Sequence, residues 1–308
     1  MVNTPILFVT FARPQYARQV FDVIRANKPK KLYFYSNKAR LDRPEEIQRN
    51  EEIRSWAKEV DWDCELHTFF RDDYVDIYAS LKGALDWVFS CEPEAIVLED
   101  DCVPTSAFFS FCDQMIDRYR ENNKVWCVSG VNYLDYVPKD ADYFFSQYHF
   151  MYGWASWRSR WEQIRWGDLP VDTLLQSNHF NELFKTRWQT KYRKRELKGV
   201  KKFVNETNCW DYAIGIEMDY HHAVTVHPKE HLVTCVGMIG EHSYISQETM
   251  FHKRSVCKDD TYLIKHHPKL VEADMEYDYL FFVKYEKYIR LYNRVWRRFK
   301  AYLSKFFR

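Results

Sequence analysis

Three consecutive acids, Glu99-Asp100-Asp101, close the apolar run Ile96-Val97-Leu98. Adjacent carboxylates repel one another, so the arrangement calls for a cation. Carboxylate oxygens suit Mn2+ or Mg2+, hard ions that keep open positions for phosphate oxygens. The competing use of such a run is a solvated acidic turn that caps the next helix. His227 and His231 have a metal-ligand spacing, but Pro228 opposes one continuous helix through both, and the pair is read as non-metal. His242, after Gly240-Glu241, could approach a metal or a phosphate. The eight cysteines form no C-x-x-C pair, and several sit in apolar runs, as Cys127 does within 125–128. They are read as free, buried thiols of a reducing compartment.

The composition narrows the possibilities. The 308 residues are 46% hydrophobic and 18% aromatic, which is incompatible with disorder over most of the length. Only eight glycines occur. None makes G-x-G-x-x-G or G-x-x-x-x-G-K-[ST], so a bound nucleotide would need something other than a glycine cradle for its phosphates. The net charge of +1 argues against a nucleic-acid binder. No leader-like segment and no run long enough to cross a bilayer is seen, and a cytoplasmic location is expected.

The elements that must position the acids come next. Strand-like runs at 6–11, 31–36, 64–70, 95–99 and 125–129 alternate with helical spacing at 14–27, 44–59, 74–90 and 105–121. Pro14 and Pro44 suit first helical turns, and Thr105 or Ser106 suits an N-cap. This alternation predicts an α/β fold with a mostly parallel sheet flanked by helices. Ligands of such sheets bind at the carboxyl ends of the strands, which singles out 10–13, 36–38 and 99–101. Further on, a strand is expected at 143–150, a basic helix at 178–202, a helix at 208–219 and short strands at 223–226 and 232–236.

Several pieces in order resemble a known family. Pro5-Ile6-Leu7 with Arg13, Glu99-Asp100-Asp101 with Pro104 and Phe108-Phe109, and 126–129 come first. Then follow 152–158 (YGWASWR), Trp210-Asp211, and His227-Pro228 leading to Ile239-Gly240 and His242. Over roughly 2–245 this set resembles nucleotide-sugar glycosyltransferases of the GT-A fold, closest to the N-acetylglucosaminyltransferase I type and its bacterial relatives. The resemblance implies a GT-A domain over 1–250, with a nucleotide-binding half (1–130) and an acceptor-binding half (131–250), and a C-terminal helical extension over 251–308. It implies a divalent cation on Asp101, with His242 as a second candidate. Glu99 and Asp100 would meet ribose, sugar or metal-bound water, and Thr10, Phe11 and Arg13 the nucleoside. The second strand end often carries an acid in the family, and Asn37 stands there instead. The Trp-Asp piece makes Asp211 the general base of an inverting transfer, with Glu217 and Asp219 behind it. Its bland reading is an acid favoured at a helix N-terminus. Of the tryptophans in 152–166, most are expected in the core, and Trp154 and Trp157 are expected to stack on sugar.

The last segment is different in kind. Residues 285–308 carry eight Lys/Arg against one acid, with Tyr288, Tyr292, Trp296, Phe299 and Leu303 at helical spacing. Such a basic amphipathic helix suits an anionic membrane surface, or else docks on the domain. The expectation is therefore a metal-dependent, inverting transferase. It would move a sugar from a nucleotide-sugar donor, plausibly UDP-linked, to a glycan or lipid-linked acceptor in surface polysaccharide synthesis, peripheral to the inner face of the membrane. The alternatives are a nucleotidyltransferase making nucleotide sugars, for which the loop at 10–13 lacks the usual glycine, and a non-catalytic membrane-associated binding module.

Overall fold

Strand residues of alternating orientation divide the core into two layers. The computed structural model describes residues 2–178, 181–203, 210–237, 253–255 and 257–286. Its first half runs β1 (Ile6–Thr10), α1 (Pro14–Asn27), β2 (Lys31–Ser36), α2 (Pro44–Ser55), β3 (Glu65–Phe70), α3 (Ile77–Cys91), β4 (Glu94–Glu99), β5 (Cys102–Pro104), α4 (Ser106–Tyr119) and β6 (Val125–Ser129). The second half adds β7 (Tyr143–Ser146), β8 (Trp154–Trp157), α5 (Arg158–Trp161), α6 (Val171–Gln176), α7 (Arg187–Phe203), α8 (Trp210–His221), β9 (Val224–Pro228), β10 (Val233–Cys235) and α9 (Met275–Phe281).

The main sheet has eight strands in the order β3-β2-β1-β4-β8-β6-β9-β7, and β10 pairs separately with β5. All strands of the main sheet except β7 and β8 point the same way. The fold is thus α/β, with a mostly parallel sheet flanked by helices on both faces. Side chains two apart share a face. Ile6, Phe8, Leu32, Phe34, Ile96 and Leu98 pack under α1, α2 and α4. Leu7, Val9, Tyr33, Tyr35 and Val97 pack under α3 and α8. Each such side chain, fully buried, contributes roughly 1.5–3 kcal/mol.

The early helices lie close to where spacing and prolines put them, with Pro14 and Pro44 each opening a helix. The second half departs further. The basic helix begins at Arg187, and the strand at 143 ends at Ser146. Strand β8 was not expected: it inserts antiparallel between β4 and β6, and its alternation is carried by Trp-Ala-Ser-Trp rather than by β-branched residues.

Residues 257–286 continue onto the same core. Tyr262 and Phe281 join the first layer, and Asp142 accepts from the backbone N–H groups of Lys265 and His266 at 2.7 and 2.8 Å. The rest of the basic 285–308 segment, from 287 onward, lies outside the described residues, as do His242 and Gly240. Among the described residues no helix is long and apolar enough to cross a membrane.

Candidate active site

The strand order reverses at β1. From it the chain builds outward to β2 and β3 on one side, while β4 lies on the other. Such a switch point leaves a crevice beyond the carboxyl ends of the two central strands. Val9 pairs with Glu99, so the loop after β1 and the acids after β4 end side by side.

Arg13 occupies the junction between the β1 loop and α1. Its guanidinium bridges both aspartates, donating to Asp100 Oδ1 and lying 3.0 Å from Asp101 Oδ2. Burial works against its charge, but Asp100, Asp101 and Glu99 outweigh burial and hold it firmly protonated. The acids show the opposite strain. Burial and then Asp101 and Asp100 push the Glu99 carboxyl well up, and Asp211 adds to the push. Burial raises Asp100 too, against the pull of Arg13. One guanidinium therefore does not balance three anions. Asp100 Oδ2 is buried without a hydrogen-bond partner among the described residues. An orphaned buried carboxylate oxygen is costly, and a cation is the group that would satisfy it.

The donor set fits a hard divalent cation on Asp101 and Asp100. Cys102 and Cys235 also lie near: their sulfurs and an Asp101 oxygen are all within 4.8 Å of one another. Hydrogen bonding to Cys235 and burial hold the Cys102 thiol well above its usual range, and the softer sulfurs match a hard cation less well than the carboxylate oxygens do. The thiols sit opposite each other in the β5–β10 pairing. Beyond them, Val236 N–H donates to Asp101 O at 2.8 Å and brings Gly237 over the acids. A Cβ at Gly237 would stand 2.2 Å from Asp101 Oδ2 and 2.7 Å from Arg13 Nη1, so only glycine lets this strand end approach.

Beside the acids opens a cavity of ≈ 810 Å³ between the β1 loop and α2. Phe11 and Arg13 line it, and Arg43 and Arg49 add two more guanidinium groups that sequence reading did not single out, with Glu46 and Glu45 at 4.0 and 3.4 Å from them. Thr10 and Asn37 do not line it. Thr10 Oγ1 donates to Tyr35 O at 2.9 Å, and Asn37 Nδ2 donates to Val75 O at 2.8 Å. Both side chains are buried and serve to fix the loops, a correction that follows from their pairing with backbone. Asn50 of α2 completes this bracing by donating to Phe11 O and Asn37 O at 2.6 and 2.9 Å.

Asp211 sits in the first turn of α8. Burial raises its carboxyl above the usual range, and the Tyr212 N–H, 3.0 Å from Oδ1, opposes the rise. His149 Nε2–H donates to Asp211 O at 3.1 Å. Burial holds that imidazole neutral, with a pKa down at about 4. Gly215 permits the contact, because a Cβ there would fall 2.0 Å from His149 Cε1. The fields of Glu99 and Asp211 both reach Tyr152, which places its ring in the same neighbourhood.

Trp154 and Trp157 do not form a sugar platform. Each is 2% exposed, on opposite faces of β8. Trp154 stacks on Trp210 with centroids 5.9 Å apart, and the Arg160 guanidinium lies 4.6 Å from the Trp157 ring centroid. Strand alternation, invisible while the segment was read as a loop, sends both indoles into the core. Glu217 and Asp219 are likewise taken, by Arg165 and Arg193. His227 and His231 spend their ring nitrogens on backbone groups of 131, 148, 132 and 253. Cys91 is exposed, against the expectation of buried thiols throughout.

No protein-family model matches the chain, and no curated protein matches it. Solved structures similar to it include mouse xyloside xylosyltransferase 1 (10% identity, 59% of this chain and 76% of that one, TM-score 0.33). Others are the glycosyltransferase GlyE of Streptococcus pneumoniae TIGR4 (13%, 82% and 58%, 0.31) and a UDP-glucose pyrophosphorylase (7%, 73% and 90%, 0.31). Overlays this loose carry no argument, and the function rests on the site itself.

Proposed function

We propose that the protein is a divalent-cation-dependent, inverting glycosyltransferase of GT-A type that uses a nucleotide-sugar donor. The observation that carries this reading is the orphaned, buried Asp100 Oδ2 beside a cavity lined by three arginines and two glutamates. Asp101 and Asp100 would hold the cation, which when bound stabilises the leaving diphosphate as a Lewis acid. Phe11 offers a ring face to the base, and Arg13, Arg43 and Arg49 offer charge to the phosphates in place of a glycine loop. Asp211 takes the acceptor hydroxyl proton. The acceptor oxygen bonds to the anomeric carbon as that carbon's bond to phosphate oxygen breaks, and the electron pair leaves with the nucleoside diphosphate. Attack from the face opposite the leaving group inverts the anomeric centre. The basic, aromatic pattern of 285–308 supports an acceptor met at an anionic membrane surface.

The test is a thermal-shift panel of nucleotides and nucleotide sugars with and without Mn2+, on wild type and Asp101→Ala. Ligand at about a hundred times Kd stabilises by about 2.7 kcal/mol. The expected result is a Tm rise with one nucleoside diphosphate sugar that needs Mn2+ and is lost in Asp101→Ala. A rise with nucleoside triphosphates alone would replace the reading with a nucleotidyltransferase. No rise with any nucleotide would remove the donor site altogether.

A further inference from the structure

A second, smaller pocket of ≈ 200 Å³, lined by Asp211, opens between the segment after β7 and helices α7 and α8. At ~30 Å³ per water it has room for roughly six waters or one small ring, well below a nucleotide. Its polar groups are unlike those of the donor cavity. Gln189 is 2% exposed, and its Oε1 accepts from the Thr186 N–H and hydroxyl, both at 3.1 Å. Those two bonds fix which way the amide faces. They leave Nε2 buried at the pocket wall with no acceptor among the described residues. Gln147 Oε1 is the converse, a buried acceptor without a donor, on the same wall. Leaving a buried polar group unmade costs about 1–3 kcal/mol, so both amides are poised for a ligand that can donate and accept at once.

The charges say which ligand. Arg193 Nε donates to Asp219 at 2.8 Å, and Arg193 also lies 3.4 Å from Glu196. Its charge is therefore already answered, and Asp211 adds a further acid. The pocket holds more acid than base and opposes a phosphate. Phe184 and Tyr212 supply apolar and aromatic wall. Hydroxyls that both donate and accept, on a neutral ring with a C–H face, meet all of these demands.

We infer that this pocket binds one neutral sugar ring of the acceptor, with hydroxyls paired to Gln189 Nε2 and Gln147 Oε1 and another presented to Asp211. The inference rests on the proposed transferase and names its acceptor as saccharide at the point of attack, whatever carries that saccharide.

The experiment is saturation-transfer NMR on the full chain. The probes are methyl β-D-glycosides of glucose, galactose, mannose and N-acetylglucosamine, with inorganic phosphate as the charged probe. At least one glycoside is expected to bind, at roughly millimolar Kd, and phosphate is expected not to compete. Gln189→Leu should weaken that binding roughly tenfold, the worth of one buried hydrogen bond. Gln147→Leu, at a half-buried position that tolerates the change, should do the same if Gln189→Leu does not fold. Asp101→Ala should leave glycoside binding intact. Glycoside binding unmoved by both glutamine variants, displacement by phosphate, or no binding by any glycoside overturns the inference. Nucleotide binding in the thermal-shift panel is read separately, so loss of the donor site and loss of this pocket are distinguishable.

Discussion

The two cavities solve opposite problems. The one between the β1 loop and α2 is lined by full charges: Arg43 and Arg49 with Glu45 and Glu46, and Arg13, which ties it to Asp100 and Asp101 after β4. The one between α7 and α8 answers its charges internally and leaves two neutral amides unpaired. Full charges, even paired ones, suit a ligand that brings charge of its own, such as a diphosphate with a cation. Unpaired amides suit a ligand of neutral hydroxyls. Asp211 lines the second pocket and adds to the push on Glu99, burial raises its carboxyl, and in the proposed reaction it is where the two ligands would meet.

The sharpest way to break this comparison is at the meeting point. Asp211→Asn should lower kcat roughly 100- to 10,000-fold, the range for a positioned base, while both ligands still bind. A variant that loses binding instead would make Asp211 part of one pocket only. In the wild type the rate should fall as pH drops, with an apparent pKa above the usual carboxylate range, because a base must be ionised to accept the proton. A kcat profile flat through the acid range would exclude this carboxyl as base.

Asp278, behind the second pocket and away from the first cavity, supplies a different test. Burial pushes its carboxyl up to about 7 from 3.8, against the hydrogen bonds from Ser146 and Gln147. The folded protein then keeps a proton that the unfolded chain releases. Stability should fall as pH rises from about 4 to about 7, by on the order of 3 kcal/mol. Asp278→Asn should flatten that slope in urea melts recorded across the range. An unchanged slope would assign the pH dependence to the acids at 99–101.

Gly237→Ala separates the two sides further. Its new Cβ would press on Asp101 and Arg13, at a cost of roughly 1–3 kcal/mol. The shift should appear in Mn2+-dependent nucleotide binding and leave glycoside binding untouched. Trp154→Phe should have the smallest effect, a stability loss of roughly 1–2 kcal/mol with neither ligand affected. Loss of glycoside binding at constant Tm would restore this indole to the site.

The crevice beyond β1 and β4 was largely legible in the chain. Ile96-Val97-Leu98 followed by three acids reads as a buried strand feeding a crevice, and Pro14 fixes where the helix after Arg13 begins. Arg43 and Arg49 were not legible, because they lie just before and within α2 and reach the crevice only through the packing of α2 beside α1. The second pocket was mostly hidden. Gln147 and Gln189 are ordinary polar residues in sequence, and only the fixed direction of one amide and the missing partner of the other mark them. Trp154 and Trp157 misled for a related reason. Aromatic residues in a glycine-containing stretch suit a binding loop as well as a strand, and the strand emerges only once β4 and β6 offer edges on either side.

By itself the sequence determined the local matters: which segments alternate between strand and helix, where prolines start helices, and where acids end an apolar run. These follow from propensity and periodicity, which act over a few residues. The tertiary structure decided what depends on distant pairings. Strand order placed Arg13 against Asp100 and Asp101, the β5–β10 pairing brought Gly237 over them, and the meeting of α7, α8 and the chain after β7 left two amides unanswered. Burial and charge balance are properties of neighbours in space, and a chain acquires those neighbours only by folding.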